Sequence, residues 1–98
     1  MTINKTRENE TLTVTIEGRL DTTTAPQLEA ELKSSLDDIK KLVFDIKDLE
    51  YISSAGLRVL LSAQKVMNKQ GNMVVKGANE SVMEIFEVTG FVDILNIE

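Results

Sequence analysis

Two hydrophobic periodicities alternate along the chain, and this alternation limits the folds that are possible. The stretch TLTVTIEG places Leu12, Val14 and Ile16 at every second position, which predicts a strand with one buried face. From Thr24 to Ile39 the apolar residues instead recur every three or four positions, which predicts a helix with Thr24 as its N-cap. Strands separated by helices are typical of an α/β domain with a largely parallel sheet.

The same alternation continues to the C-terminus. KLVFDI predicts a strand buried on both faces, KDLEYI a connection, NMVVKG another strand and VDILNI a final extended segment. A long helix is expected from Ser54 to Gly71, and its predicted buried face comprises Gly56, Val59, Leu60, Ala63, Val66 and Met67. NESVMEIFEVTG predicts a further helix capped by Asn79. With a weak strand around Ile3, the predicted order is ββαβαβαβ: one α/β domain over residues 1–98, with a mixed, mostly parallel sheet and three to four helices.

Composition excludes several classes of function. The 98 residues include no cysteine and no histidine, so thiolate and imidazole chemistry are absent, and we expect no metal and no bound cofactor. The 16 acidic and 11 basic side chains give a net charge of −5 without a basic cluster, which argues against nucleic acid as a partner. No long apolar stretch or apolar leader is present, so we expect a cytoplasmic protein that makes no membrane contact.

Two adjacent serines, Ser53 and Ser54, precede the long predicted helix in the stretch DLEYISSAGLRVLL. A serine at this position caps a helix by accepting a hydrogen bond from an otherwise unpaired backbone N–H. One serine is sufficient for that role, so the second hydroxyl needs a separate explanation. Functional groups of α/β sheets cluster where strands are followed by helices, which makes the serine pair the first candidate site.

Three segments of the chain together resemble the anti-sigma-factor antagonists, the single-domain STAS proteins. They are GRLDTTTAPQLEAEL, LVFDIKDLEYISSAGLRVLL and VKGANESVMEIFEVTGF, and they span nearly the whole chain. The most specific element is the run of Ser, Ser/Thr or Ala, Gly and Leu before the long helix. In Bacillus-type members this run reads Asp-Ser-Ser-Gly-Leu and the first serine is phosphorylated. The resemblance therefore implies phosphorylation of Ser54, with Ser53, which stands at the position of the Asp, as the second candidate.

The resemblance implies a STAS-like fold and a switch protein rather than an enzyme. Family members bind a serine kinase that is also an anti-sigma factor and so displace the sigma factor. The kinase then phosphorylates the antagonist and releases it, and a PP2C-type phosphatase restores it. The partner surface implied for this chain comprises Asp21, Thr22, Thr23, Ser53, Ala55, Gly56, Leu57 and Arg58. We expect the free protein to be a monomer, and we expect phosphorylation to change binding rather than folding.

Some of these residues also have purely structural explanations. Asp21 fits a turn carboxylate, and the threonines at positions 22 to 24 fit a capping loop. Arg58 follows Ser54 by one helical turn, which allows three roles: a solvated side chain, a contact to an acidic patch on the kinase, or a partner of the phosphate.

Two other classes of function are compatible with the sequence. Residues 62–65 match the S-x-x-K pattern of serine acylases, but the chain lacks a histidine base and the second domain that such enzymes use. A STAS module could also act on a target other than a sigma factor, or serve as a structural or ligand-binding module without a switch.

Overall fold

Strands and helices alternate along the chain in the computed structural model, which describes residues 1–98. The strands are β1 (Thr2–Glu8), β2 (Thr11–Leu20), β3 (Lys41–Asp45), β4 (Leu49–Ile52) and β5 (Asn72–Lys76). The helices are α1 (Ala25–Lys33), α2 (Ser54–Gln70) and α3 (Glu80–Thr89), followed by a 3₁₀ turn over Phe91–Asp93. The predicted α/β architecture and the weak first strand are therefore confirmed.

The five strands form one mixed sheet in the order β1-β2-β3-β5, and β4 pairs with the C-terminal end of β2. Only the β1–β2 hairpin is antiparallel, and its tight turn contains Asn9 in the left-handed region at φ 57°. The other pairings, β2–β3, β2–β4 and β3–β5, are parallel. The sheet is therefore mostly parallel, as the alternation of strands and helices predicts.

One face of the sheet carries most of the hydrophobic core. The registers align Leu12 with Leu42 and Met73, and Val14 with Phe44 and Val75, so these side chains share a face. All of them are at least 97% buried. Helices α1 and α2 supply the opposing apolar side chains, including Leu28, Leu60 and Met67. Each of the three α-helices is too short or too polar to span a lipid bilayer.

Helix α1 is shorter than predicted. It ends at Lys33, although the apolar periodicity continues through Leu36 to Ile39. The hydroxyls of Ser34 and Ser35 both donate to the carbonyl of Glu31, which is the kind of local hydrogen bond that competes with helix continuation. Ile39 is nevertheless fully buried, because the chain folds back over the core after the helix ends.

Two further predictions are wrong in part. KDLEYI is not a plain connection, because Leu49–Ile52 forms strand β4 beside β2. VDILNI is extended only near its end, where Ile97 bridges to Val75, while its beginning belongs to the 3₁₀ turn. Helix α2 has the predicted bounds, but Val66 is 40% exposed and lies beside α1 instead of in the core.

Candidate functional site

The two serines before helix α2 have different structural roles. Ser53 is the N-cap, with extended backbone angles, and its Oγ accepts a long hydrogen bond of 3.4 Å from the N–H of Gly56. Its own N–H donates to the carbonyl of Leu20 at 2.9 Å, which anchors the start of the helix to the end of β2. Ser54 is the first helical residue, and its side chain is exposed. Ser53 therefore provides the cap, and the Ser54 hydroxyl is left without that role.

The backbone around Ser54 offers unpaired donors. The N–H groups of Ser54 and Ala55 make no hydrogen bond within the protein, as expected for the first turn of a helix. Helix α2 has 17 residues, so its N-terminal end carries the positive end of a substantial helix dipole. This end of the helix can stabilise a negative group attached to the Ser54 oxygen.

Gly56 fixes how closely the start of α2 approaches the sheet. A Cβ atom at this position would lie 2.7 Å from Leu20 Cγ, 2.8 Å from Ile52 Cγ1 and 3.0 Å from the Leu20 carbonyl. Gly56 and the next residue, Leu57, are both buried. These two members of the predicted partner surface therefore support the site from beneath, while Ser54 and Arg58 are exposed above them.

Asp21 organises the turn between β2 and α1. Its Oδ1 accepts hydrogen bonds from the Thr23 hydroxyl at 2.7 Å, the Thr23 N–H at 3.0 Å and the Thr24 N–H at 3.2 Å. The bond from the Thr23 hydroxyl, helped by the two backbone donors and opposed by burial, lowers the pKa of Asp21. Asp21 is thus an ionised turn carboxylate, and its side chain is 30% exposed.

Thr24 is the N-cap residue of α1, as predicted, but its side chain makes no capping hydrogen bond to the helix. Its hydroxyl accepts a hydrogen bond from the Asp21 N–H at 2.8 Å and donates to the Arg19 carbonyl at 2.8 Å. This arrangement ties the turn back to strand β2. The Asp21 carboxylate takes over the capping of the turn, because it binds the N–H groups of Thr23 and Thr24.

The turn and the start of α2 border a common hollow. Thr22 on one side and Ala55 and Arg58 on the other line a hollow of about 310 Å³ between α1 and α2. The hydrogen bond between Leu20 and Ser53 brings Asp21 next to the serine pair along the backbone. The structure therefore gathers the predicted residues at one end of the molecule. No group of three or more acidic side chains there or elsewhere is arranged to hold a metal ion.

Two residues at this end were absent from the predicted site. The Arg19 guanidinium lies over the ring of Tyr51, 4.5 Å from its centroid, and Arg19 Nε is 3.8 Å from Asp21 Oδ2. Tyr51 is 36% exposed, although it is a large aromatic residue. Arg19 and Tyr51 meet because they are register partners in the β2–β4 pair. The sequence does not predict this contact, because KDLEYI is expected to be a connection and not a strand paired with β2.

Comparison with known proteins assigns this arrangement to a family. The STAS-domain model matches residues 2–98. The Bordetella bronchiseptica protein BtrV, named as an anti-sigma factor antagonist, is 40% identical over 84 residues, which cover 84% of this chain and 72% of BtrV. The anti-sigma-B factor antagonist of Bacillus subtilis is 33% identical over 94 residues, which cover 95% of this chain and 85% of that protein.

A solved structure has the same fold. The crystal structure of an anti-sigma factor antagonist from Mycobacterium paratuberculosis matches with a TM-score of 0.89 at 23% identity, covering 98% of this chain and 83% of that one. The family model, the relatives and the fold agree with the family resemblance predicted from the sequence. The chain therefore belongs to the STAS-domain family, together with proteins named as anti-sigma factor antagonists.

Proposed function

We propose that this protein is a phosphorylation-switched anti-sigma factor antagonist of the cytoplasm. In its unmodified form it binds a serine kinase that is also an anti-sigma factor, and so frees the target of that factor. Phosphorylation of Ser54 ends the binding, and a PP2C-type phosphatase reverses it. The protein is the substrate and the regulator in this scheme, and the partner enzymes carry out the chemistry.

The observation that carries the proposal is the exposed hydroxyl of Ser54 beside a serine that already caps the helix. A kinase needs an acceptor oxygen that its active site can reach, and the Ser54 side chain is exposed while Ser53 Oγ is engaged with Gly56. The unpaired N–H groups of Ser54 and Ala55 can bind phosphate oxygens, so the folded domain accommodates the modified side chain.

Added charge explains how the switch acts. A phosphate brings about 1.5 to 2 negative charges to the end of the molecule that already carries the Asp21 carboxylate. A loss of only about 1.4 kcal/mol weakens an interface tenfold, and an unpaired charge in a desolvated contact costs more than that. One phosphate on Ser54 is therefore sufficient to release the kinase.

The exposed side chains around Ser54 define the proposed contact surface. Thr22 and Thr23 on the β2–α1 turn, and Ala55 and Arg58 on α2, are at least partly exposed. Arg58 lines the same hollow as Thr22, so it can reach a partner docked over this end of the protein. We assign it to the kinase contact in the unmodified state; the Arg58→Ala variant should bind more weakly, and this loss should shrink as salt is raised.

The test is transfer of phosphate to this chain. A serine kinase of the histidine-kinase-like ATPase fold from the same genome is incubated with ATP and the wild-type protein, and the modified residue is located by mass spectrometry. Modification of Ser54, followed by loss of kinase binding in a pull-down, supports the proposal. Stable binding by fully modified protein contradicts it. Adding a PP2C-type phosphatase from the same genome to the modified protein should restore binding.

A second candidate function follows from the groove between α1 and α2. Beside the hollow near Thr22 lies another of about 380 Å³. Half of its lining residues are apolar, including Leu32, Leu36 and Val66, and the other half are polar or charged, including Glu29. A hollow of this size admits a small apolar ligand, so a ligand-binding module without a phosphate switch is the alternative. Wild-type protein that binds no kinase but changes its melting temperature with an apolar ligand would favour this alternative.

A further inference from the structure

Arg19 and Tyr51 form an exposed stacked pair at the end of the molecule that carries Ser54. The guanidinium is held from two sides, by the Tyr51 ring at 4.5 Å and by the Asp21 carboxylate at 3.8 Å. The Arg19 side chain is 59% exposed, so the stack is a surface feature rather than part of the core. An arginine restrained in this way loses less conformational freedom when it binds a partner.

The restrained guanidinium still has unused donors. The Arg19 side chain makes no hydrogen bond in the protein, and the 3.8 Å separation from Asp21 Oδ2 is too long for one. Its N–H groups are therefore free to bind a partner, and the Tyr51 ring and the Asp21 carboxylate lie beside the guanidinium. A planar guanidinium with free donors matches the two oxygens of a carboxylate, which it binds through a pair of parallel hydrogen bonds.

The surrounding charges make Arg19 distinctive. It is the one basic residue of strands β2 and β4. The acidic residues near it in sequence or strand pairing are Glu17, Asp21, Asp48 and Glu50. A carboxylate of an approaching protein is repelled by these groups and attracted by Arg19, so Arg19 favours one orientation of docking.

The pair also adjoins the phosphorylation site that we assign. Arg19 is opposite Tyr51 in the parallel register, the next pair is Leu20 with Ile52, and the Leu20 carbonyl accepts the Ser53 N–H at 2.9 Å. The Arg19–Tyr51 pair is thus one residue along each strand from Leu20 and Ile52, against which the start of α2 packs. Arginine and tyrosine are also among the residues most enriched where a few side chains dominate the binding energy of an interface.

We propose that Arg19 and Tyr51 form a docking point for a carboxylate side chain of the partner kinase. The carboxylate binds the free edge of the guanidinium, and the exposed Tyr51 ring packs against apolar atoms beside it. The pair thereby contributes to the choice of kinase. This inference rests on the proposed function, because it concerns the same kinase and the same docking event.

The test compares kinase affinities of surface variants by titration calorimetry, with the same purified kinase that modifies the wild-type protein. Arg19→Ala and Tyr51→Ala should each weaken binding by about tenfold. Arg19→Lys should lose most of this affinity because an ammonium lacks the planar fork, whereas Tyr51→Phe should bind like wild type because the ring is kept. Arg7→Ala is the matched control, since Arg7 is also an exposed arginine but lies opposite Leu12 at the other end of β2.

Salt separates the two contributions. The loss caused by Arg19→Ala should shrink as the ionic strength rises, and the loss caused by Tyr51→Ala should persist. Unchanged melting temperatures of both variants would show that the folded state is intact. If wild-type protein is modified at Ser54 and binds the kinase, but Arg19→Ala and Tyr51→Ala bind equally well, the docking point is wrong and the switch stands. If wild-type protein neither binds nor is modified, the switch and the docking point are both wrong.

Discussion

Ser53 accepts a hydrogen bond from the backbone N–H of Gly56 at 3.4 Å, and the neighbouring Ser54 takes no part in this cap. The cap needs one hydroxyl, and its position is set by the end of strand β4 at Ile52. The second hydroxyl is exposed at the first turn of α2. Ser53 thus provides the cap, and the adjacent Ser54 is the phosphate acceptor that we propose, so each role can be tested by its own substitution.

Replacing the capping residue should affect stability. We expect Ser53→Ala to lower the free energy of unfolding by about 0.5 to 1 kcal/mol, because the Gly56 N–H loses its side-chain partner. The long hydrogen bond and the partial exposure of Ser53 favour the lower part of this range. Urea unfolding measures the change, and Ser54→Ala is the matched control that should leave stability nearly unchanged. Equal destabilisation by both substitutions would contradict this division of roles.

Adding a methyl group at Gly56 should disturb the start of α2. The new Cβ would lie within 3 Å of side-chain atoms of both Leu20 and Ile52, so the helix must shift away from the sheet. We expect Gly56→Ala to destabilise the protein by about 1 kcal/mol or more, because overpacking outweighs the better helix propensity of alanine. Ser62→Ala, at an exposed position of the same helix, should instead be neutral or slightly stabilising. A Gly56→Ala protein as stable as wild type in thermal unfolding would show that no such clash occurs.

The Asp21 turn should contribute a pH-dependent stability. Its pKa in the folded protein lies below the usual value of about 3.9, so its contribution is complete above that value and is lost as pH falls through the folded pKa. Asp21→Asn should therefore be less stable than wild type near neutral pH, and the difference should narrow as the solution is acidified below about pH 4. Urea unfolding across this range measures the difference, and a gap that stays constant with pH would contradict the role of the ionised carboxylate.

Hydrophobic periodicity predicts most of this fold because burial follows it closely. Strand β2 alternates buried and partly exposed residues from Leu12 to Ile16, and α2 buries the face that repeats every three to four residues. Strand β4 lacks that signal, since Glu50 and Tyr51 are both exposed between buried ends. Its pairing with β2 includes a register shift at Gly18 and Arg19, so the alternation that marks a strand is interrupted.

The candidate site was predictable to a similar extent. The family motif indicates the serine pair and the Asp21 turn, because these residues are adjacent in sequence to the helices they serve. Which serine caps α2 depends on where β4 ends, and the contact of Arg19 with Tyr51 depends on a strand register. Both are consequences of tertiary pairing, which local sequence patterns do not contain.

An acidic side chain at position 54 should imitate the modified state in part. We expect Ser54→Asp to weaken kinase binding about tenfold or more, since about 1.4 kcal/mol is sufficient for that change. The melting temperature should change little, because a negative group at the N-terminus of α2 is favourable. Titration calorimetry and thermal unfolding of the same preparations measure both effects, with Ser54→Asn as an uncharged control of similar shape. Kinase binding equal to that of Ser54→Asn would contradict a role for charge.

Phosphate mapping on three proteins tests the central claim most directly. Wild type, Ser53→Ala and Ser54→Ala are incubated with the partner kinase and ATP, and modified peptides are identified by tandem mass spectrometry. We expect phosphate on Ser54 in wild type and in Ser53→Ala, and none in Ser54→Ala. Phosphate on Ser53, or on a threonine at positions 22 to 24, with Ser54 unmodified, would contradict the account.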